Sequence, residues 1–254
     1  MEFIDNIARK TGEPGLLAVE AAKASQAFDI GRDCGLFYAP KVVNFDKDAG
    51  LLEFERLSDL VTLLDLAICK DKRLPDLLKK AGKALAAIHR YLALPEEMKH
   101  DLPPEWMDSE NDNVFIHGDF ACINVCFHEP SDELVILDFS AAPMVGRTPT
   151  FGSRYFDVLL FISSIFHGAS LRKAFNWNAK TMAEAFLRGY TEYMPDISLN
   201  KLKSFAPEIS LLQQENILHL ASQRRPLRAA GYICYHTLLN TRLNRFLQKY
   251  ELPH

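Results

Sequence analysis

No stretch of this 254-residue chain approaches the roughly 18 apolar residues a bilayer-spanning helix needs, and the opening MEFIDNIARKTGEPG lacks the apolar core of a secretory leader. Neither charge sign dominates. With 29 Lys and Arg against 33 Asp and Glu, the formal net charge of -4 gives no general attraction for nucleic acid. Paired cysteine spacing is absent too: Cys34, Cys69, Cys122, Cys126 and Cys234 are scattered, odd in number and without a CxxC. That excludes a disulfide framework and predicts reduced thiols in a soluble, cytoplasmic protein. There is no internal repeat and no Gly/Ser-rich linker. What is present, 48% hydrophobic and 24% charged residues, suits a packed fold, either one large domain or a large and a small lobe sharing a cleft.

Changes of hydrophobic period give the organisation. Residues 16–28, LLAVEAAKASQAF, have helical spacing, and FIDNIARK before them reads as a short strand. PKVVNFD and LLEFERL, separated by the turn KDAG, predict a hairpin. SDLVTLLDLAIC predicts a helix with Ser58 as its N-cap, and PDLLKKAGKALAAIHRYLAL a longer one carrying a stripe of Leu78, Ala81, Leu85, Ile88 and Leu92. The turn-rich stretch 101–113 predicts an exposed connection. Short apolar runs across 114–138 then read as small β-structure, and helices are expected near 155–167, 178–193, 200–220 and 226–249.

Chemistry concentrates in the β-rich stretch. His117-Gly118-Asp119 is followed by Asn124 five positions after the aspartate, and Asp138 ends the apolar run LVIL fourteen residues later. An isolated His-Gly-Asp is a common turn, so the spacing carries the argument. In-line phosphoryl transfer needs a carboxylate that orients the acceptor hydroxyl and takes its proton, beside oxygen ligands for a hard cation. Asp119 is the candidate base, and Asn124 with Asp138 the candidate Mg²⁺ ligands. Zinc is a poorer reading of His117, Cys122, Cys126 and His128, because four ligands within twelve residues along a strand close a tetrahedron awkwardly.

HGDFACINV followed by VILDFSAA resembles the catalytic and metal-binding loops of the aminoglycoside phosphotransferase and choline kinase superfamily. AGKALAAIHRYLALP is similar to the helix before the catalytic loop in that family, and GSRYFDVLLFI to the segment after the metal aspartate. The resemblance implies an α+β, protein-kinase-like two-lobed fold, with a shortened N-terminal lobe over 1–57 and a mostly helical C-terminal lobe over 58–254. It implies Mg²⁺ and ATP, with GTP as the other nucleotide, and Asp157 as a carboxylate holding the loops together. Lys10 and Glu20 stand as candidates for the nucleotide-orienting ion pair, although no Gly-rich hairpin precedes them. EFERL, Glu53 to Leu57, is similar to the hinge against which adenine lies, with Glu53, Phe54 and Glu55 as the nucleotide-binding candidates. Ser140 departs from the glycine or acidic residue that relatives often carry there, which implies a differently held metal.

The acceptor is expected to be a small hydroxylated molecule: a sugar, an amino alcohol or an aminoglycoside-like compound. Arg224, Arg225, Arg228, Arg242 and Arg245 favour a neutral or anionic one, unless they form a solvated face. Tyr232, Tyr235 and His236 are pocket or core aromatics. The alternative function is a kinase-like protein that binds a nucleotide or another ligand with little catalysis.

Overall fold

A computed structural model describes residues 2–109, 112–141, 145–146, 148–168 and 177–251. The chain opens with strands β1 (Glu2–Ile4) and β2 (Ile7–Thr11), then helix α1 (Pro14–Cys34), then β3 (Val42–Asp46) and β4 (Leu51–Glu55). These strands form one antiparallel sheet in the order β1-β2-β4-β3. FIDNIARK is therefore a hairpin rather than one strand. Its turn runs through Asp5, at φ 49, a left-handed conformation that a short polar side chain tolerates.

The TGEPG stretch opens α1. Glu13 accepts from the Gly15 and Leu16 amides, both at 2.9 Å, and Pro14 sits in the first turn where its missing N–H costs nothing. Gly35 closes the helix in the left-handed conformation, at φ 66.

The expected cap at Ser58 is corrected to Thr62. Asp59, at φ 57, interrupts a helix there, and Leu60–Thr62 forms strand β5 instead. Helix α2 (Leu63–Cys69) starts at Thr62, whose hydroxyl accepts from the Asp65 amide at 3.0 Å. Strand β5 pairs antiparallel with β7 (Val125–His128), which pairs in turn with β8 (Glu133–Ile136). A two-stranded ribbon of β6 (Asn113–Phe115) and β9 (Phe151–Ser153) lies beyond.

The remaining helices are α3 (Leu74–Tyr91), α4 (Tyr155–His167), α5 (Ala179–Tyr193), α6 (Leu199–Ser204), α7 (Ala206–Ser222) and α8 (Pro226–Lys249). A single helix over 200–220 gives way to two, because Pro207 cannot continue a preceding turn and opens α7 instead. The predicted exposed connection 101–113 is also corrected. Leu102 and Trp106 are buried, and Trp106 packs edge-on to Phe156 and stacked on Phe205. Glu110 and Asn111 of that stretch, like Ala142 of VILDFSAA, lie outside the described residues.

Helix α3 buries the predicted stripe, with Leu78, Ala81, Leu85 and Ile88 all inaccessible or nearly so. It packs against α5 at backbone contact: a Cβ on Gly189 would lie 1.8 Å from the Lys79 carbonyl oxygen. That approach brings Tyr190 of α5 under His89 of α3, and this pair supports the catalytic loop described next.

Candidate active site

The loop His117–Asn124 joins β6 to β7, and its foundation is Asp157, one turn into α4. Fully buried, Asp157 accepts from the His117 amide at 2.7 Å, from the Gly118 amide at 2.9 Å and from His89 Nε2 at 3.0 Å. The other ring nitrogen of His89, Nδ1, lies 2.8 Å from the Tyr190 hydroxyl. Burial works against the charge on Asp157, yet these hydrogen bonds hold it below the usual carboxylate range. Gly118 takes φ +94, and a Cβ there would come within 3.1 Å of the Ala141 backbone. His117 is fully buried against Phe120 and Phe139, and burial pulls it down to about 4. It is a neutral structural ring.

Asp119 emerges from this support half-buried. Its Oδ2 accepts from Asn124 Nδ2 at 3.0 Å, and its backbone carbonyl accepts from the same amide at 2.9 Å. With Nδ2 so occupied, Asn124 Oδ1 is the acceptor end left to meet a cation. Burial pushes the Asp119 carboxyl up to about 6, and the nearby Asp138 carboxylate adds to the shift.

Asp138 lies two residues past the end of β8, and the Leu137 amide donates to the Asn124 carbonyl at 2.8 Å, which ties the two loops together. At φ 55, Asp138 takes the left-handed conformation that a short polar side chain tolerates, as Asp5 does. Ser140 Oγ donates to Asp138 Oδ1 at 2.7 Å and Lys10 Nζ to the same oxygen at 3.3 Å. Burial disfavours the charge, but these two donors hold Asp138 below its ordinary value. Among the described residues both side-chain contacts fall on Oδ1.

Lys10 also donates to both oxygens of Glu20, at 2.9 and 2.7 Å, so the predicted pair forms between β2 and α1. Burial raises Glu20 and Lys10 pulls it partly back, while Lys10 itself is raised. We take the pair as ionised, because Lys10 touches a second carboxylate that is held low.

A cavity of about 300 Å³ opens between the sheet and these loops, bounded by Ala8, Phe54, Leu57, Leu60, Asn124 and Asp138. Glu20 and Glu55 also border it. Glu53 does not stand on it: its carboxylate pairs with Arg9 at 2.7 Å across the sheet. Strand β4 is central, paired on both sides, and the Glu55 amide bonds the Lys41 carbonyl. Leu57, the end of the expected hinge, and Leu60, which was not expected there, complete the wall.

Lys23 was also missed. It lies one turn after Glu20 on α1, is 1% exposed, and donates to the His117 carbonyl oxygen. Burial pulls it down to about 8, resisted by the Asp157, Glu20, Asp138 and Asp119 carboxylates. Its position on the buried face of an Ala-rich helix was the available signal.

Zinc is not favoured by the geometry. Among the described residues no three His, Cys, Asp or Glu side chains converge on one point, and His128 pairs instead with Ser131. A magnesium site asks for less, since one or two carboxylates with phosphate oxygens and water suffice.

Neither a protein-family model nor a curated protein matches the sequence; the likeness is three-dimensional. A glucosamine kinase aligns at TM-score 0.60 and 15% identity, over 95% of this chain and 75% of that one. A choline/ethanolamine kinase family protein from Mesorhizobium loti aligns at 0.55 and 15% identity, over 97% and 88%. An amicoumacin kinase in complex with AMP-PNP, Ca²⁺ and Ami aligns at 0.56 and 12% identity, over 97% and 83%. The protein thus shares the kinase-like α+β fold of these solved small-molecule kinases.

Proposed function

We propose that this protein is a phosphotransferase that moves the γ-phosphoryl group of ATP to a hydroxyl of a small molecule. The observation that carries the reading is that Asn124 and Asp138 border one cavity, with Asp119 held by Asn124 and with Lys10 joining Asp138 to Glu20. Asp138 Oδ2 and Asn124 Oδ1 would hold Mg²⁺. When bound there, the ion neutralises charge on the β- and γ-phosphates. Lys10 orients the nucleotide phosphates, and the bases of ATP or GTP fit the 300 Å³ cavity against Phe54, Leu57 and Leu60.

Asp119 is the base. Asn124 holds its Oδ2 and leaves Oδ1 to the acceptor hydroxyl. As the acceptor oxygen bonds to γ-phosphorus, its proton passes to Asp119 and the bond from phosphorus to the nucleoside diphosphate breaks. A carboxyl near 6 is ionised at neutral pH yet basic enough to take that proton.

The acceptor side points away from polycations. Ser164 of α4 holds the Cys122 amide of the catalytic loop at 3.0 Å. One turn later His167 meets His236 of α8, with Nδ1 atoms 3.1 Å apart, and Tyr232 lies against His236 beneath the Arg224 guanidinium. Burial and then Arg224 pull His236 down, so the charge acting on this cluster is positive. We therefore favour a neutral or anionic hydroxylated acceptor over an aminoglycoside. The five free thiols suit the cytoplasm, and no described helix is long and apolar enough to cross a membrane.

Calorimetric titration with Mg·ATP, followed by an assay of ADP release across sugars, sugar acids and amino alcohols, tests the reading. We expect saturable nucleotide binding and turnover on at least one uncharged or acidic acceptor. Tight binding with no turnover on any acceptor would establish the kinase-like binding protein instead.

A further inference from the structure

Lys23 is the residue that the chemistry above leaves unused. Taking a lysine ammonium out of water costs on the order of several kcal/mol. No ion pair within 4.0 Å repays that cost among the described residues; the hydrogen-bond acceptor of Lys23 is the His117 carbonyl oxygen. The Asp157, Glu20, Asp138 and Asp119 carboxylates favour the charge from beyond ion-pair distance, but apolar packing alone does not call for a lysine here.

Its position does. Glu20 and Lys23 lie three residues apart, on one face of α1, and both are buried. Glu20 reaches Lys10, and through it Asp138. Lys23 reaches the carbonyl two residues before Asp119. The Lys23 ammonium is 3.4 Å from where a Cβ on Gly118 would stand, so glycine leaves room for this approach. One helical face thus touches both halves of the site, the phosphate-binding half through Glu20 and the proton-accepting half through Lys23.

We propose that Lys23 is a positioning residue for phosphoryl transfer: by pinning the His117 carbonyl to α1, it keeps Asp119 in register with the Lys10–Glu20–Asp138 corner. The proposal rests on the kinase reading. It assigns Lys23 to the alignment of the base and not to nucleotide affinity. A misplacement of about 1 Å costs on the order of 100-fold in rate, so a loosened loop should be visible in kcat alone.

The test is Lys23→Met, which keeps the length and removes the donor, compared with wild type in three measurements: thermal melting, Mg·ATP titration and steady-state kinetics. We expect a melting temperature modestly below wild type, because the buried His117 carbonyl loses its donor, and a nucleotide Kd within about threefold. kcat should fall by about 10- to 100-fold with the acceptor KM little changed. Lys23→Gln, with a shorter uncharged donor, should show the same split and serves if the Met variant does not fold. A Met variant within twofold of wild type in kcat overturns the proposal. So does parallel loss of kcat and nucleotide affinity, or failure of both variants to fold, either of which makes Lys23 a structural residue. Wild-type protein that turns over no acceptor sinks the kinase reading itself, and this proposal with it.

Discussion

Two carboxylates face the same cleft and are treated in opposite ways. Asp138 shares a corner with Lys10 and Glu20, where Lys10 and the Ser140 hydroxyl both donate to one of its oxygens and hold it below the usual carboxylate range. Asp119 sits in the loop built on Asp157, with a neutral amide as its side-chain partner, and burial leaves its carboxyl raised to about 6. Identical side chains thus acquire different chemistry from their neighbours: a group kept charged suits a cation, and a group kept basic suits a proton. The contrast is built by different elements. The corner is assembled from β2, α1 and the residues after β8, while the loop hangs from α3, α4 and α5 through His89, Asp157 and Tyr190.

The largest expected effect breaks the proton-accepting half alone. Asp119→Asn should lower kcat by about 100- to 10,000-fold and leave the Mg·ATP Kd within a few-fold, read by steady-state kinetics and calorimetry on one preparation. Undiminished turnover removes the role of base. Lys10→Met should act on the other half. Loss of the cation frees Glu20 and Asp138 to repel phosphate, so the nucleotide Kd should rise by about 10- to 100-fold. A Lys10→Met protein with unchanged nucleotide affinity would erase the distinction between the two halves.

A titration sharpens the same comparison. In protein free of metal and nucleotide, the Asp119 carboxyl carbon should titrate near pH 6 by NMR, with Asp138 titrating below the usual carboxylate range. A base must be unprotonated to act, so kcat/KM should fall as pH drops through the Asp119 value, toward one decade per pH unit. A flat profile between pH 5 and 8 would mean that Asp119 does not carry the proton.

Much of this was legible before the coordinates because the relevant signals are local. His117-Gly118-Asp119 and Asn124 lie within one loop, and the amphipathic stripe of α3 repeats over several turns. The Lys10–Glu20 contact needs only a strand leading straight into a helix. Features set by distant pairing were harder to see. Strand β5 is three residues long and is defined by β7, more than sixty positions away, so its sequence read as the start of α2. Trp106 lies in a Pro-rich stretch that looks solvent-facing, and only Phe156 and Phe205 make it core. The arginines, read as one series, divide: Arg224 covers Tyr232, whereas Arg242 and Arg245 line a separate cavity of about 530 Å³ with Phe166, Trp177 and Tyr250. Lys23 looked like any helix lysine because burial depends on what packs against α1.

The smallest expected effect concerns Ser140, the departure noted in the sequence. Its hydroxyl and Lys10 both donate to Asp138 Oδ1, a carboxylate oxygen with room for two donors. Oδ2 is thereby left for a cation, with the Asp138 backbone in the left-handed region at φ 55. If Ser140 orients Asp138 in this way, Ser140→Ala removes a charge-assisted hydrogen bond worth roughly 1.5–3 kcal/mol at most. Part of that returns through Lys10 and water. The magnesium concentration for half-maximal rate should then rise about three- to tenfold, with kcat at saturating magnesium within about twofold of wild type. Were the hydroxyl instead competing with the cation for Oδ1, the same substitution would lower the magnesium requirement, so the sign of the change decides which role Ser140 plays.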